Sequence, residues 1–393
     1  MHSLPQSPTD PDFVQNPYDF YDRARALGPL FHWPDYNLIC ATSAATVGAI
    51  LRDRRFGREI PPERQRAIPD HLRPFYAVEA HSMLELEPPR HTRLRGLVLR
   101  AFTSRRIAGL APEIITLTHQ LIDAFPSGEF DLLRQFATRL PVIIIARLLG
   151  VPEDRGDDLL AWSNAMVGMY QAGRTRATED AAVTATTAFV AFMRAYVEDR
   201  RAKPADDLIT HLIAAESDGE KLTTDELITT CILLLNAGHE ATVHTLGNGV
   251  KALLENGYGA EVLTAATIAG TVEEILRHDP PLHLFTRHAY EDIEIAGHVF
   301  QRGEEVGCLL AAANRDPQAW DAPARFDPAR PVKPNLAFGI GLHFCVGAPL
   351  ARLELQIALP ILFQRLPGLH RRAPTPYANL YHFHGLERLI VSA

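Results

Sequence analysis

The segment FGIGLHFCVGAPLAR, residues 338–352, sets two glycines, a histidine and a cysteine directly before a helical pattern. Gly339 and Gly341 permit close backbone approach and unusual dihedrals just ahead of Cys345. From Val346 the run VGAPLARLELQIAL reads as a helix that continues to Arg365. The Cys345 sulfur is thus expected at a helix N-terminus, facing free amide N–H groups and the positive end of the dipole. That environment lowers a thiol's pKa and stabilises its thiolate.

The other three cysteines, Cys40, Cys231 and Cys308, are scattered and form no C-x-x-C pair. A zinc knuckle or redox dithiol is therefore disfavoured, and they read as reduced, buried thiols. The chain has 393 residues, 47% hydrophobic and 22% charged, ordinary values for a soluble globular protein. A net charge of -8 argues against nucleic acid as the partner. The opening MHSLPQSPTDPDFVQNP is polar and Pro-rich, with no apolar run for a signal peptide or membrane anchor. A cytoplasmic enzyme is the expectation.

Moving outward, periodicity predicts a helix at 19–27, strands at 30–33 and 37–41, and a helix ending at Leu51. Residues 58–86 read as a long irregular connection, a common binding-site wall. From Pro89 to about Asp218 the pattern is mostly helical. Thr223 and Glu226 form a capping box for a helix that persists to Glu255, before Asn256-Gly257. About 33 residues at 1.5 Å each give ~50 Å. Another helix ends at His278, strands follow over 285–310, and the tail 379–391 reads as extended. With no repeat or linker, 1–393 is read as a single, mainly α domain. Its strand-rich lobe is drawn from about 28–60, 285–310 and 379–391.

The 338–352 segment resembles the haem-binding loop of the cytochrome P450 superfamily, matching at Phe338, Gly339, Gly341, His343, Cys345 and Gly347. The resemblance implies a P450 fold with haem b, iron protoporphyrin IX, between the long central helix and the cysteine-bearing helix. It makes Cys345 the axial iron ligand and sets Phe338, Gly339 and Gly347 against the cofactor. A thiolate ligand favours O–O cleavage. The implied activity is monooxygenation of a small hydrophobic or amphipathic organic substrate, a natural product, using dioxygen. Electrons would come from a separate ferredoxin and ferredoxin reductase, and the chain would act as a monomer.

Three further stretches carry the same resemblance. In EPPRHTRLR, residues 87–95, His91 and Arg95 lie four apart on one helix face. The resemblance makes them propionate donors, although a solvated basic helix, also served by Arg93 and Arg100, would look the same. Glu274 and Arg277 of EILR imply a buried carboxylate–guanidinium network completed by Arg325, structural rather than catalytic. Arg287, on a following strand, is implied to join His343 as a propionate ligand.

The central helix contains LLLNAGHEATVH, residues 233–244. His239 and Glu240 suggest an H-E-x-x-H zinc motif, but the next histidine is His244, five residues on. At ~100° per residue the two imidazoles diverge by about 140°, so the zinc reading fails. A mid-helix glycine costs ~1 kcal/mol against alanine. Ala237 and Gly238 therefore suggest a groove for dioxygen and the haem face, with Glu240 relaying protons. The family usually has a threonine directly after this acid; this chain has Ala241, and Thr242 one step later, turned ~100° around the helix. Thr242, ordered water or a substrate hydroxyl would complete the path. Direct use of peroxide, or ligand binding without turnover, is the alternative.

The implied pocket wall runs through 58–86, 162–172, 233–242, 282–285 and 381–386. It contributes Met166, Met169, Tyr170, Leu282, Leu284, Phe285 and Phe383, with His283, His382 and His384 as polar contacts. Redox-partner docking is expected on Arg93, Arg100 and Arg352, over Cys345.

Overall fold

The computed structural model describes residues 1–217 and 219–393. Thr223 and Glu226 bond reciprocally, side chain to backbone N–H, and open a helix over Thr224–Glu255. Its 32 residues extend ~48 Å, and Gly257, at φ +70°, follows its Asn256 cap. This helix is buried around most of its circumference, as an element apolar on nearly all sides must be. Helices Arg139–Leu149, Gly156–Val167 and Arg176–Ala202 pack on it. The helical stretch expected from residue 89 runs in successive helices to Ala214. Its boundary near Asp218 lies outside the described residues.

One five-stranded sheet has the order Leu30–Trp33, Leu38–Ala41, Glu305–Leu309, Leu284–Ala289, Phe56–Gly57. Glu305–Leu309 pairs parallel with Leu38–Ala41 and antiparallel with Leu284–Ala289. Asn37, expected in the second strand, sits in the turn at φ +51°. A short hairpin, Ile293–Ile295 with His298–Phe300, turns on Ala296 and Gly297, both at positive φ.

Two expectations need correction. Residues 58–86 are not wholly irregular: Arg73–Glu79 is a helix, with Pro74 in its first turn and Leu72, Phe75 and Val78 buried at helical spacing. The tail is extended mainly at Ile390–Ser392, which pairs with Phe130–Asp131 and His370–Arg371. Before that it touches its neighbours through isolated bridges, Leu282 with Phe383 and Tyr377 with Leu386. Among the described residues no helix is long and apolar enough to cross a membrane.

Arg277, on helix Ile268–His278, is 1% exposed and grips Glu274 through two hydrogen bonds of 2.7 Å. The third member is Arg330, whose Nε lies 3.1 Å from Glu274 Oε2. It is not Arg325, whose side chain is exposed and reaches only Asp327, at 3.8 Å. Arg325 takes part through its backbone carbonyl, which accepts from both Arg277 and Arg330.

Candidate active site

The cysteine loop is shaped by its glycines. Gly339 and Gly341 adopt φ of +64° and +79°, a region other residues rarely visit. A Cβ on Gly341 would stand 2.3 Å from the Leu51 carbonyl oxygen, so space and dihedral both demand glycine. Cys345 N–H closes the loop on the Phe338 carbonyl at 3.1 Å. The helix then starts at Ala348, two residues later than expected, with Gly347 as its cap and Pro349 in its first turn.

Cys345 is partly accessible, whereas Cys40, Cys231 and Cys308 are buried. Burial pushes the Cys345 thiol up, despite backbone N–H bonds from Gly347 and Ala348 and the fields of Arg95 and Arg352. The helix N-terminus acts in the expected direction, but desolvation of the anion outweighs it. A coordinated cation is what deprotonates such a thiol outright.

A cationic cluster adjoins the loop. His91 is buried, its ring 4.4 Å from that of His343, and its Nδ1 has no hydrogen-bond partner. Burial, then the fields of His343 and Arg95, push its pKa down to about 4. His343 Nε2 lies 2.9 Å from Glu87, a residue to which the sequence reading gave no role. Arg95 donates to the Phe344 carbonyl at 2.6 Å. Arg287 is 4% exposed and donates to the Thr286 carbonyl. Among the described residues, neither guanidinium has a carboxylate within ion-pair distance. Two buried or half-buried cations lack anions, which is costly unless an anion arrives.

On the central helix, Ala237, Glu240, Ala241 and His244 share an accessible stripe, bordered by the partly accessible Leu233, Asn236 and Gly238. Glu240 lies 3.4 Å from His244 Nε2. Burial pushes its carboxyl up, but the hydrogen bond from His244 and the charges of His239 and His244 outweigh this and hold it below the usual range. The i,i+4 spacing of this pair was visible in the sequence, yet His244 was weighed there only as a failed zinc ligand. Thr242 points off the stripe. It is 4% exposed, and its hydroxyl returns to the Gly238 carbonyl at 3.5 Å. Gly238 answers a packing need: a Cβ there would meet Ile145 at 2.9 Å.

The implied pocket wall divides. Phe285 abuts the cysteine loop, 3.3 Å from where a Gly339 Cβ would be. Met166 Sδ lies 3.7 Å from Asn236 Nδ2 on the central helix. Tyr170 donates to Glu79 at 2.7 Å and stacks near His382, beside the Arg58–Glu85 ion pair. Leu284 is buried in the sheet. His283 and His384 are not pocket contacts; both are buried in a separate polar cluster, 0% and 1% exposed. The expected docking patch is also partly neutralised, because Arg93 pairs with Glu226 and Arg352 with Glu273.

Burial, then Glu85, pushes the Glu79 carboxyl up to about 7, against the Tyr170 hydrogen bond and Arg58. Its folded pKa exceeds its unfolded one, so stability is expected to fall as pH rises from about 4.5 to 7. The loss is on the order of 1–3 kcal/mol. Urea melts across that window should show the slope in the wild type and a flatter one in Glu79→Gln; equal slopes would reject it.

A family model described as cytochrome P450 matches residues 268–369. Cytochrome P450 107B1 of Saccharopolyspora erythraea is 40% identical over 345 residues, 86% of this chain and 83% of that one. The monooxygenase PikC of Streptomyces venezuelae is 37% identical, covering 91% and 86%. Among solved structures, P450BioI in complex with an acyl carrier protein ligated to hexadec-9Z-enoic acid superposes with a TM-score of 0.91. It is 35% identical over 97% of this chain and 99% of its own. The Bacillus subtilis bacillaene polyketide synthase P450 PksS gives a TM-score of 0.89 at 33% identity, covering 98% and 99%. This chain belongs to the cytochrome P450 family. It is an oxidoreductase, a monooxygenase with haem b as cofactor. The residues present fit that group: one accessible thiol on a glycine-shaped loop, an orphaned buried imidazole nitrogen, and two guanidiniums without carboxylates.

Proposed function

We propose that Cys345 holds the haem iron, and that His91, Arg95, Arg287 and His343 bind the two propionates, with Phe338, Gly339 and Gly347 against the macrocycle. The observation that carries this reading is the pair Arg95 and Arg287, left without carboxylates beside the only partly accessible cysteine. Bound haem supplies dioxygen activation, helped by the electron density of its thiolate. The protein's own work is to bind, orient and deliver protons. Glu240 takes protons from His244 and releases them along the accessible stripe, which Ala237 and Ala241 keep open to water or to a substrate hydroxyl. Thr242, whose hydroxyl turns back toward the Gly238 carbonyl at 3.5 Å, is left outside this path.

The substrate is an amphipathic natural product. Its apolar body lies on Phe285 and Met166, and its polar end meets the group formed by Tyr170, Glu79, Arg58 and Glu85. The name of PksS, a polyketide biosynthesis P450, supports a polyketide-like class. A cytoplasmic ferredoxin and its reductase deliver electrons to this single-domain, monomeric enzyme.

Glu240→Gln is expected to lower product formation on the order of 10²-fold, a typical general-acid contribution. Substrate binding, followed by haem spin-state shift, should stay within a factor of a few. NADH consumption would become uncoupled from product. Wild-type coupling in this variant would refute the Glu240 route. A spin-state screen of polyketides, macrolactones and fatty acyl chains tests the substrate class; absence of any shift would count against it.

A further inference from the structure

Away from the cysteine loop, Asp279, His283 and His384 gather at the end of helix Ile268–His278. All three are buried, at 5%, 0% and 1% exposure, and one ligating atom from each lies within 4.8 Å of the others. Their surroundings resemble the supporting shell of a metal centre. Tyr21 OH lies 2.8 Å from His283 Nδ1. In the tautomer whose Nδ1–H donates to Tyr21, the lone pair lies on Nε2, which has no hydrogen-bond partner. Tyr18 and Tyr377 each donate to a different oxygen of Asp279, both at 2.6 Å. Asn248 of the central helix donates to the carbonyls of Asp279 and His384, which fixes both backbones.

Distance and charge point the same way. His384 Nε2 lies 3.6 Å from Asp279 Oδ1, too long for a hydrogen bond. It is close to the edge of about 3.4 Å expected between two ligands of a tetrahedral ion bound at ~2.1 Å. The Asp279 carboxyl is buried and accepts from two tyrosine hydroxyls. Among the described residues no lysine or arginine pairs with it directly. A buried carboxylate of this kind is stabilised by a cation at contact.

We propose that Asp279, His283 and His384 form a divalent-cation site of the zinc type, distinct from the haem centre and structural in role. Two imidazoles and a carboxylate are a known zinc donor set, and imidazole nitrogen disfavours magnesium or calcium. The ion would fasten the segment around His384 to the end of helix Ile268–His278 and to the N-terminal Tyr18 and Tyr21.

The test uses the intact holoenzyme, stripped with a chelator and re-equilibrated with micromolar Zn2+, with metal content measured by elemental analysis. One zinc per chain beyond the haem iron is expected, together with a rise in Tm. His384→Ala should lose both. Tyr21→Phe keeps all three ligands but frees the His283 tautomer, and should weaken zinc 10–100-fold, the usual effect of an outer-shell partner. The thiolate spectrum of each variant reports its fold, and Tyr21→Phe keeps the test open if His384→Ala does not fold. Failure of the wild type to take up stoichiometric zinc, or uptake unchanged in both variants, would overturn the site.

Discussion

Cys345→Ala is expected to abolish monooxygenase activity to background while leaving the polypeptide folded. Loss of one small, partly accessible side chain from a loop costs little packing. The loop itself is shaped by Gly339 and Gly341 and by the Cys345 N–H bond to Phe338, none of which needs the sulfur. What disappears is the proposed thiolate ligand, which would push electron density to iron. Two readouts separate ligand loss from misfolding. The reduced carbon monoxide complex should lose the absorption band diagnostic of thiolate ligation, while far-UV circular dichroism stays wild-type. Cys345→His should then retain haem with nitrogen ligation and still fail to hydroxylate. A thiolate spectrum surviving in Cys345→Ala would reassign the ligand to another cysteine. That outcome is hard to reconcile with the structure. Burial pushes Cys40, Cys231 and Cys308 far toward the neutral thiol, with Cys231 inside the central helix and the other two in adjacent strands.

What could be read from the sequence was what is local. Two glycines before a cysteine and a helix start after it are decided within about ten residues by dihedral preference and periodicity. So were the capping box at Thr223 and Glu226 and the i,i+3 pair of Glu274 and Arg277. What escaped depends on which face meets which. In ARFDPAR two arginines stand five apart in a stretch without period, and only the folded path decides that Arg330 returns to Glu274 while Arg325 offers a carbonyl. The cost of a helical glycine at Gly238 is readable in the sequence, whereas its close packing against Ile145 is not. His283 and His384 are a hundred residues apart, so their meeting is invisible to any window. The Cys345 thiol reversed for the same reason: the helix terminus is local, desolvation is tertiary.

Arg277→Ala is expected to be the most destabilising single substitution in the chain outside the cysteine loop. Arg277 gives two hydrogen bonds to Glu274 and further ones to the carbonyls of Asn314, Pro323 and Arg325. It therefore ties helix Ile268–His278 to the aperiodic connection that leads to the cysteine loop. Truncation leaves Glu274, 2% exposed, with Arg330 and the Asp327 N–H as its remaining support. Breaking a buried pair in this way costs ~3–5 kcal/mol, and each stranded carbonyl adds to it unless water enters. Against a total stability of roughly 5–15 kcal/mol, that is a large share. Low soluble yield, a depressed Tm and poor haem retention should follow. Arg277→Lys should recover only part of the loss, because an ammonium cannot span two carboxylate oxygens and three carbonyls. Glu274→Gln should fall between the two. The decisive measurement is the double variant Glu274→Gln/Arg277→Met, compared with both singles in a denaturant cycle. If the three groups act as a unit, the double should be less destabilised than the sum of the singles by ~1–3 kcal/mol, since Glu274 and Arg277 are neutralised together and only Arg330, at 9% exposure, keeps an unpaired charge. Simple additivity would mean that Arg277 acts through its carbonyl contacts and that its pairing with Glu274 contributes nothing of its own.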